Sequence, residues 1–216
     1  MVKVTLNILI GSTSQYCKRK LDEPLEKYLG RLTHLYMNNK RIDDVGEALK
    51  PCTNLQVLYL YENQLTKIPD LSTSPNLTHV YLQQNNISRI HNLGALSNLE
   101  KLYLDLSASG VTNLQGLDCL QYLERLDIGS NLLSDESDVL SVLSKMAYLG
   151  ELNIAGNPMM KNIRINDRII IAAKALECLD GKQIQSSNRR FIEGWSAYRT
   201  KSAKRQSKLE INMEES

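Results

Sequence analysis

The chain has 216 residues, 42% hydrophobic and 23% charged, which is enough apolar chain for one domain with a real core and too much for a disordered or collagen-like polymer. No apolar run approaches the ~18 residues of a membrane span, and Cys17, Cys52, Cys119 and Cys178 lie far apart with no C-x-x-C pair. Neither a disulfide framework nor a zinc site is indicated, so a reducing cytosolic or nuclear setting is the simplest reading. A net charge of +2 hides an asymmetry: between Lys182 and Lys208 eight basic residues face one acid, Glu193, so a mildly acidic body carries a basic C-terminal segment.

In chain order, Val2, Val4, Leu6, Ile8 and Ile10 alternate with Lys3, Thr5 and Asn7, which predicts a strand over 2–10 and not the apolar core of a signal peptide. Asp22-Glu23-Pro24 then opens a short helix through Leu25 and Leu29, and residues 1–31 together read as an N-terminal cap. From Leu32 onward six segments repeat L-x-x-L-x-L-x-x-N-x-L, the leucine-rich repeat, starting at Leu32, Leu55, Leu77, Leu99, Leu123 and Leu149. Of the 24 positions that the pattern requires to be apolar, 23 are; the exception is Ser109, where the longer fourth repeat is expected to bulge.

The fourth and sixth positions of each segment fall on one side of a short strand, the third, fifth and seventh on the other. One repeat cannot bury its leucines alone, so neighbours must stack. This spacing predicts an α/β leucine-rich-repeat solenoid, a right-handed horseshoe with a parallel sheet on its concave side, terminal caps and a C-terminal helix. The ninth-position amides, Asn63, Asn85, Asn131 and Asn157, are expected to satisfy buried backbone groups as a ladder, weaker where Lys40 and Ser107 stand instead. After the fifth repeat, Ser134-Asp135-Glu136 followed by Val139, Leu140, Val142, Leu143 and Met146 predicts an amphipathic helix. The repeats occupy residues 32–165, a C-terminal cap 166–184, and a basic amphipathic helix and tail 185–216.

The fifth position of the first four repeats holds Tyr36, Tyr59, Tyr81 and Tyr103, with Tyr61 beside them, and Asp127 continues the row. Tyrosines suit half-exposed strands and stack on their neighbours; they also make partner-binding strips, and their place on a polar wall favours the second reading. The third position supplies His34, His79, Lys101, Arg125 and Glu151 as flanking contacts. The two histidines, two repeats apart at about 9 to 10 Å, are too distant to share a metal. Asp105, Asp127 and Glu151 offer an acidic patch. In the tail Phe191, Trp195 and Tyr198 share one helical face, which either packs on the cap or, with Arg189, Arg190, Arg199, Lys201, Lys204 and Arg205 around it, meets an acidic partner. No Gly-rich phosphate loop, H-E-x-x-H or G-x-S-x-G is present in the sequence, so no enzyme, metal or cofactor is expected.

After the sixth repeat the chain reads NDRIIIAAKALECLDGKQI, and Leu176, Leu179, Asp180, Gly181 and Ile184 resemble the C-terminal cap of the nuclear protein phosphatase 1 regulator, the spliceosomal U2 A-prime protein and acidic nuclear leucine-rich proteins. Together with VKVTLNILI, RLTHLYMNNKRID, NLQVLYLYENQL, NLTHVYLQQNNIS, NLEKLYL and NRRFIEGWSAYRTKSAKR, nearly the whole chain resembles the protein phosphatase 1 regulatory subunit 42 family. The resemblance implies a non-catalytic regulatory subunit that binds the protein phosphatase 1 catalytic subunit, with tubulin or a microtubule motor as a further partner and the centrosome or basal body as its setting. The alternatives are a cytoskeletal adaptor without phosphatase and a nuclear or RNA-associated scaffold. A monomer with no nucleic-acid or membrane partner is expected. The sequence carries no R/K-V-x-F phosphatase docking motif, so the concave surface would have to make that contact.

Overall fold

The computed structural model describes residues 2–14, 17–104 and 110–214, as helix backbone alone at position 200 and beyond 202. Its elements are β1 (Val2–Lys3), α1 (Leu6–Ile10), α2 (Leu25–Gly30), β2 (His34–Tyr36), β3 (Ile42–Asp44), β4 (Val57–Tyr59), β5 (His79–Tyr81), β6 (Lys101–Tyr103), β7 (Arg125–Asp127), α3 (Glu136–Leu143), β8 (Glu151–Asn153), α4 (Ile165–Ala172), β9 (Cys178–Leu179), β10 (Lys182–Gln183) and α5 (Ser186–Glu214). One sheet runs in the order β10-β9-β8-β7-β6-β5-β4-β2, and its strands pair in parallel except at the β9–β10 hairpin. The six repeat strands pair in strict register, Leu35 on Leu58, Leu58 on Val80, Val80 on Leu102, Leu102 on Leu126 and Leu126 on Leu152. This is a leucine-rich-repeat solenoid.

Burial explains the register. The central residue of every repeat strand is fully buried, as are the sixth-position residues Met37, Leu60, Leu82, Leu104, Ile128 and Ile154. A one-residue slip would turn each of those leucines to solvent, at roughly 1.5 to 3 kcal/mol apiece. The ladder lies beneath. Asn63 donates to Met37 O and Leu60 O and accepts from the N–H groups of Lys40 and Ile42. Asn85, Asn131 and Asn157 repeat this geometry, each bridging its own turn to the preceding repeat. Ser107 and Ser109 lie outside the described residues. The role foreseen for an eleventh residue in repeat four falls to Val111, buried, with its N–H on Asn131 Oδ1 as Leu65 N–H is on Asn85.

Immediately before the ninth position the chain must reverse, and the eighth position adopts a left-handed backbone: Asn39, Glu62, Gln84, Ser130 and Gly156 have φ between 53° and 77°. Only the first and last of these are residues that favour such a turn. At the C-terminal end Asp180, also left-handed, directs Oδ1 at Ile154 N–H (2.8 Å) and Ala155 N–H (3.0 Å), closing the row of polar caps with a carboxylate. A second set of amides, Asn54, Asn76 and Asn98, ties the strand starts to carbonyls of Gly30, Thr53 and Pro75.

The ends differ from expectation in two places. Residues 2–10 do not form one strand: only Val2–Lys3 pairs, in parallel with β3, and the chain then turns into α1. Thr5 accepts from Ile8 N–H as an N-cap, and Leu9, an outward residue in the alternating pattern, becomes the buried one. Ile8 is half-buried, whereas Leu6 and Ile10 are exposed. Helix α2 forms where expected, and the first repeat is covered by Tyr28 and Leu29 from it. Arg31 grips the nearly buried Glu23 carboxylate with Nε (2.6 Å) and a second guanidinium nitrogen (2.8 Å), and that hydrogen bonding holds the Glu23 carboxyl down to about 2.

In the tail the aromatic face meets the solenoid only through Trp195, whose ring lies under Arg164. Among the described side chains of α5 Ile192 is the buried one, and Arg189 donates to the carbonyls of Ile170 (2.8 Å) in α4 and of Leu176 beyond it, so it clamps α5 to the C-terminal cap. Phe191 and Tyr198 are 72% and 70% exposed, because the face of the helix that meets α4 is made by Arg189, Ile192, Trp195 and Ser196.

Candidate functional site

In-register pairing places Tyr36 on Tyr59, Tyr59 on Tyr81 and Tyr81 on Tyr103. Because strands in a sheet sit about 4.7 to 4.9 Å apart, four tyrosines at one repeat position must stack. Ring centroids are 4.9, 4.7 and 4.6 Å apart with interplanar angles of 8°, 13° and 9°, a continuous column of phenols on the open face of the sheet. Tyr61 abuts Tyr59 edge-on at 6.5 Å, and His34 stacks against Tyr36 at the N-terminal end. The guanidinium of Arg125 lies over Tyr103, 5.6 Å from its centroid, and pairs with Glu151.

Stacking and binding are therefore compatible roles for the same residues. Each ring buries its faces against its neighbours and leaves edges and hydroxyls outward; Tyr36 is 40% exposed and the others are half-buried. Burial raises the Tyr59, Tyr81 and Tyr103 phenols above their ordinary pKa, so they remain neutral donors throughout the physiological range. A row of rings already locked by packing loses little rotamer entropy when a partner docks.

The flanking residues divide. His34 and His79 each hold Nδ1 against the hydroxyl of the preceding threonine, Thr33 at 3.0 Å and Thr78 at 2.8 Å. Burial, with Lys101 beside it, lowers the His79 pKa, which makes that ring neutral near pH 7. Val57, between them in register, is buried by its neighbours. Asp127 turns back to accept from Gly129 N–H at 3.1 Å, and Glu151 is engaged by Arg125, so neither is a free acid. Asp105 lies outside the described residues. In the tail Arg190 and Lys201 are exposed, Trp195 and Arg199 join a cluster at the end of the solenoid, and the side chains of Lys204 and Arg205 lie outside the described residues.

One pair went unforeseen. Tyr122 and Tyr148 occupy the position held by the outer asparagines in earlier repeats; their rings lie 5.5 Å apart, 51% and 58% exposed, beside Glu100 and Glu124. The break in the Asn54, Asn76, Asn98 series was the available signal.

The repeat model for leucine-rich repeats (2 copies) matches residues 30–73 and 53–87, in keeping with the leucine-rich-repeat solenoid of the fold. Among curated relatives, mouse leucine-rich repeat- and IQ domain-containing protein 1 is 32% identical over 83 residues, and rat dynein axonemal assembly factor 1 is 38% identical over 80. Those matches take in 38% and 37% of this chain but only 5% and 12% of the relatives. Among solved structures, an internalin (inlF) from Listeria monocytogenes superposes with a TM-score of 0.61 at 23% identity, covering 81% of this chain and 57% of that one. The Drosophila melanogaster SNF/U2A' complex gives 0.53 at 19% identity, covering 96% of this chain and 99% of the other. Identity this low speaks for the fold alone.

Proposed function

We propose that the protein is a non-catalytic, monomeric adaptor of the cytoskeleton that holds a protein partner against the tyrosine column. The column is the observation that carries this reading: four rigid amphipathic rings in a row, with a charged pair at one end, are the surface type on which protein interfaces place their anchors. The cytoskeletal setting, at an axoneme, basal body or centrosome, is supported by the name of one relative, dynein axonemal assembly factor 1. Binding of the protein phosphatase 1 catalytic subunit is a second reading, which rests on the resemblance of VKVTLNILI and NRRFIEGWSAYRTKSAKR, both outside the repeats, to the subunit 42 family.

The test uses purified protein phosphatase 1 catalytic subunit and polymerised tubulin as separate probes, each against the native chain and the triple variant Tyr59→Ala, Tyr81→Ala, Tyr103→Ala. At about 2 kcal/mol or more per anchor, the variant is expected to lose binding of the true partner by over a hundredfold while keeping its far-UV circular dichroism. Undiminished binding of both probes by the folded variant would remove the column from the function; binding of tubulin alone would retire the phosphatase reading.

A further inference from the structure

Helices α4 and α5 meet around a pocket of about 220 Å³ lined by Arg164, Asp167, Arg168, Ile171, Ile192, Trp195, Ser196 and Arg199. The Trp195 indole carries two guanidiniums: Arg164 lies 4.5 Å and Arg199 4.9 Å from its ring centroid. Arg168 is already engaged by Glu136, whose other carboxylate oxygen accepts from Asn162 Nδ2 at 2.8 Å. Among the described residues no carboxylate pairs with Arg164 or Arg199. The floor is apolar, built from Ile171, buried Ile192 and the indole.

We propose that this pocket is a binding subsite for an acidic peptide, taking a Glu or Asp carboxylate whose sequence neighbour is an aliphatic side chain. A guanidinium held against an indole keeps N–H donors free for a ligand, and such a fork suits the planar, bidentate geometry of a carboxylate. Charge selects the valence of the ligand. Arg164, Arg168 and Arg199 bring three positive charges, Asp167 and Glu136 two negative, so one negative charge neutralises the pocket. A phosphate dianion would leave an excess and would meet Asp167. The apolar floor supplies the place for the neighbouring aliphatic group, and the basic run of α5 steers acidic segments toward it. The pocket stands at the C-terminal end of the solenoid, on helices, and makes no use of the tyrosine column.

Trp195 is the single tryptophan of the chain, so its emission reports this site directly. The full chain is titrated with the peptide acetyl-Leu-Glu-Leu-Glu-Leu-amide, with its Gln counterpart, and with inorganic phosphate. Saturable emission change with the Glu peptide, at least tenfold weaker with the Gln peptide and with phosphate, is the expected result. The double variant Arg164→Met, Arg199→Met keeps the aliphatic stems over the indole and should weaken Glu-peptide binding by at least tenfold, as loss of charge-assisted hydrogen bonds requires. Phe191→Ala with Tyr198→Ala, on the outer face of α5, should leave it unchanged, as should the triple tyrosine variant. No response to the Glu peptide, equal response to the Gln peptide, or an unaffected arginine double variant overturns the site; stronger binding of phosphate overturns the carboxylate assignment. If the double variant loses helix content, Arg164→Gln alone, which leaves α5 intact, must still weaken binding.

Discussion

Replacing Asn85 by Ala separates a ladder that carries stability from one that merely follows the repeat. The Asn85 side chain is 1% exposed; its Nδ2 donates to Leu60 O at 2.9 Å and Leu82 O at 2.8 Å, and its Oδ1 accepts from Leu65 N–H at 3.0 Å. Truncation leaves Leu60 O with the amide of Asn63, 2.8 Å away, but leaves Leu65 N–H and Leu82 C=O without the partner they have. Two buried backbone groups left unpaired cost about 1 to 3 kcal/mol each, so a loss of roughly 2 to 6 kcal/mol is expected. That is a large share of the 5 to 15 kcal/mol typical of a domain. Asn98, exposed and holding Pro75 O at 3.2 Å, is the matched control and should change stability by less than about 1 kcal/mol on conversion to Ala. Urea denaturation followed by circular dichroism reads both midpoints. Equal small shifts for Asn85→Ala and Asn98→Ala would refute the argument, because burial of the bonds would then not decide their worth.

Two further outcomes follow from the caps and turns. The Glu23 carboxyl, depressed to about 2 by Arg31, contributes stability that is fully present above its unfolded pKa of about 4.5 and is lost as pH falls toward about 2. Glu23→Gln should therefore lower the thermal midpoint at pH 7 and converge on the native chain near pH 2; a pH-independent difference would contradict the pairing. Glu62 sits at φ 55° with its side chain exposed, so Glu62→Gly should stabilise by a few tenths to about 1 kcal/mol, the relief of left-handed strain exceeding the entropy of glycine. The same change at Asn39, which tolerates that backbone, should gain less; equilibrium denaturation of both variants checks the order.

The solenoid, its register, the asparagine ladder and the tyrosine row were legible because each depends on spacing alone. A residue at a fixed place in every repeat must meet its counterparts once the strands pair. What escaped was set by single-site competition. Residues 2–10 alternate well enough for a strand, yet one threonine hydroxyl capping one amide, with Leu9 finding the core, turns Leu6–Ile10 into a helix. The tail shows the same limit: three aromatics on one helical face look like a packing surface, but Arg189 reaching two carbonyls and Ile192 filling the seam rotate the helix so that only Trp195 of the three meets the solenoid. The left-handed turns at Glu62 and Gln84 left no mark in residue type, because the amide that follows each of them holds the turn closed. Asp180 was matched by family likeness, while its role at Ile154 and Ala155 came from the end of the sheet.

The tyrosine column also sets a length. Three successive ring spacings give a stripe of roughly 14 Å, which about nine residues of helix or four to five of extended chain would span. If the column binds a partner as proposed, a single short helix or extended segment of that partner would be enough to cover it. Since every ring belongs to its own repeat, gaining or losing one repeat would lengthen or shorten the stripe by a single strand spacing without moving the rest. The length of the stripe is thus graduated in steps of one strand, like marks on a ruler.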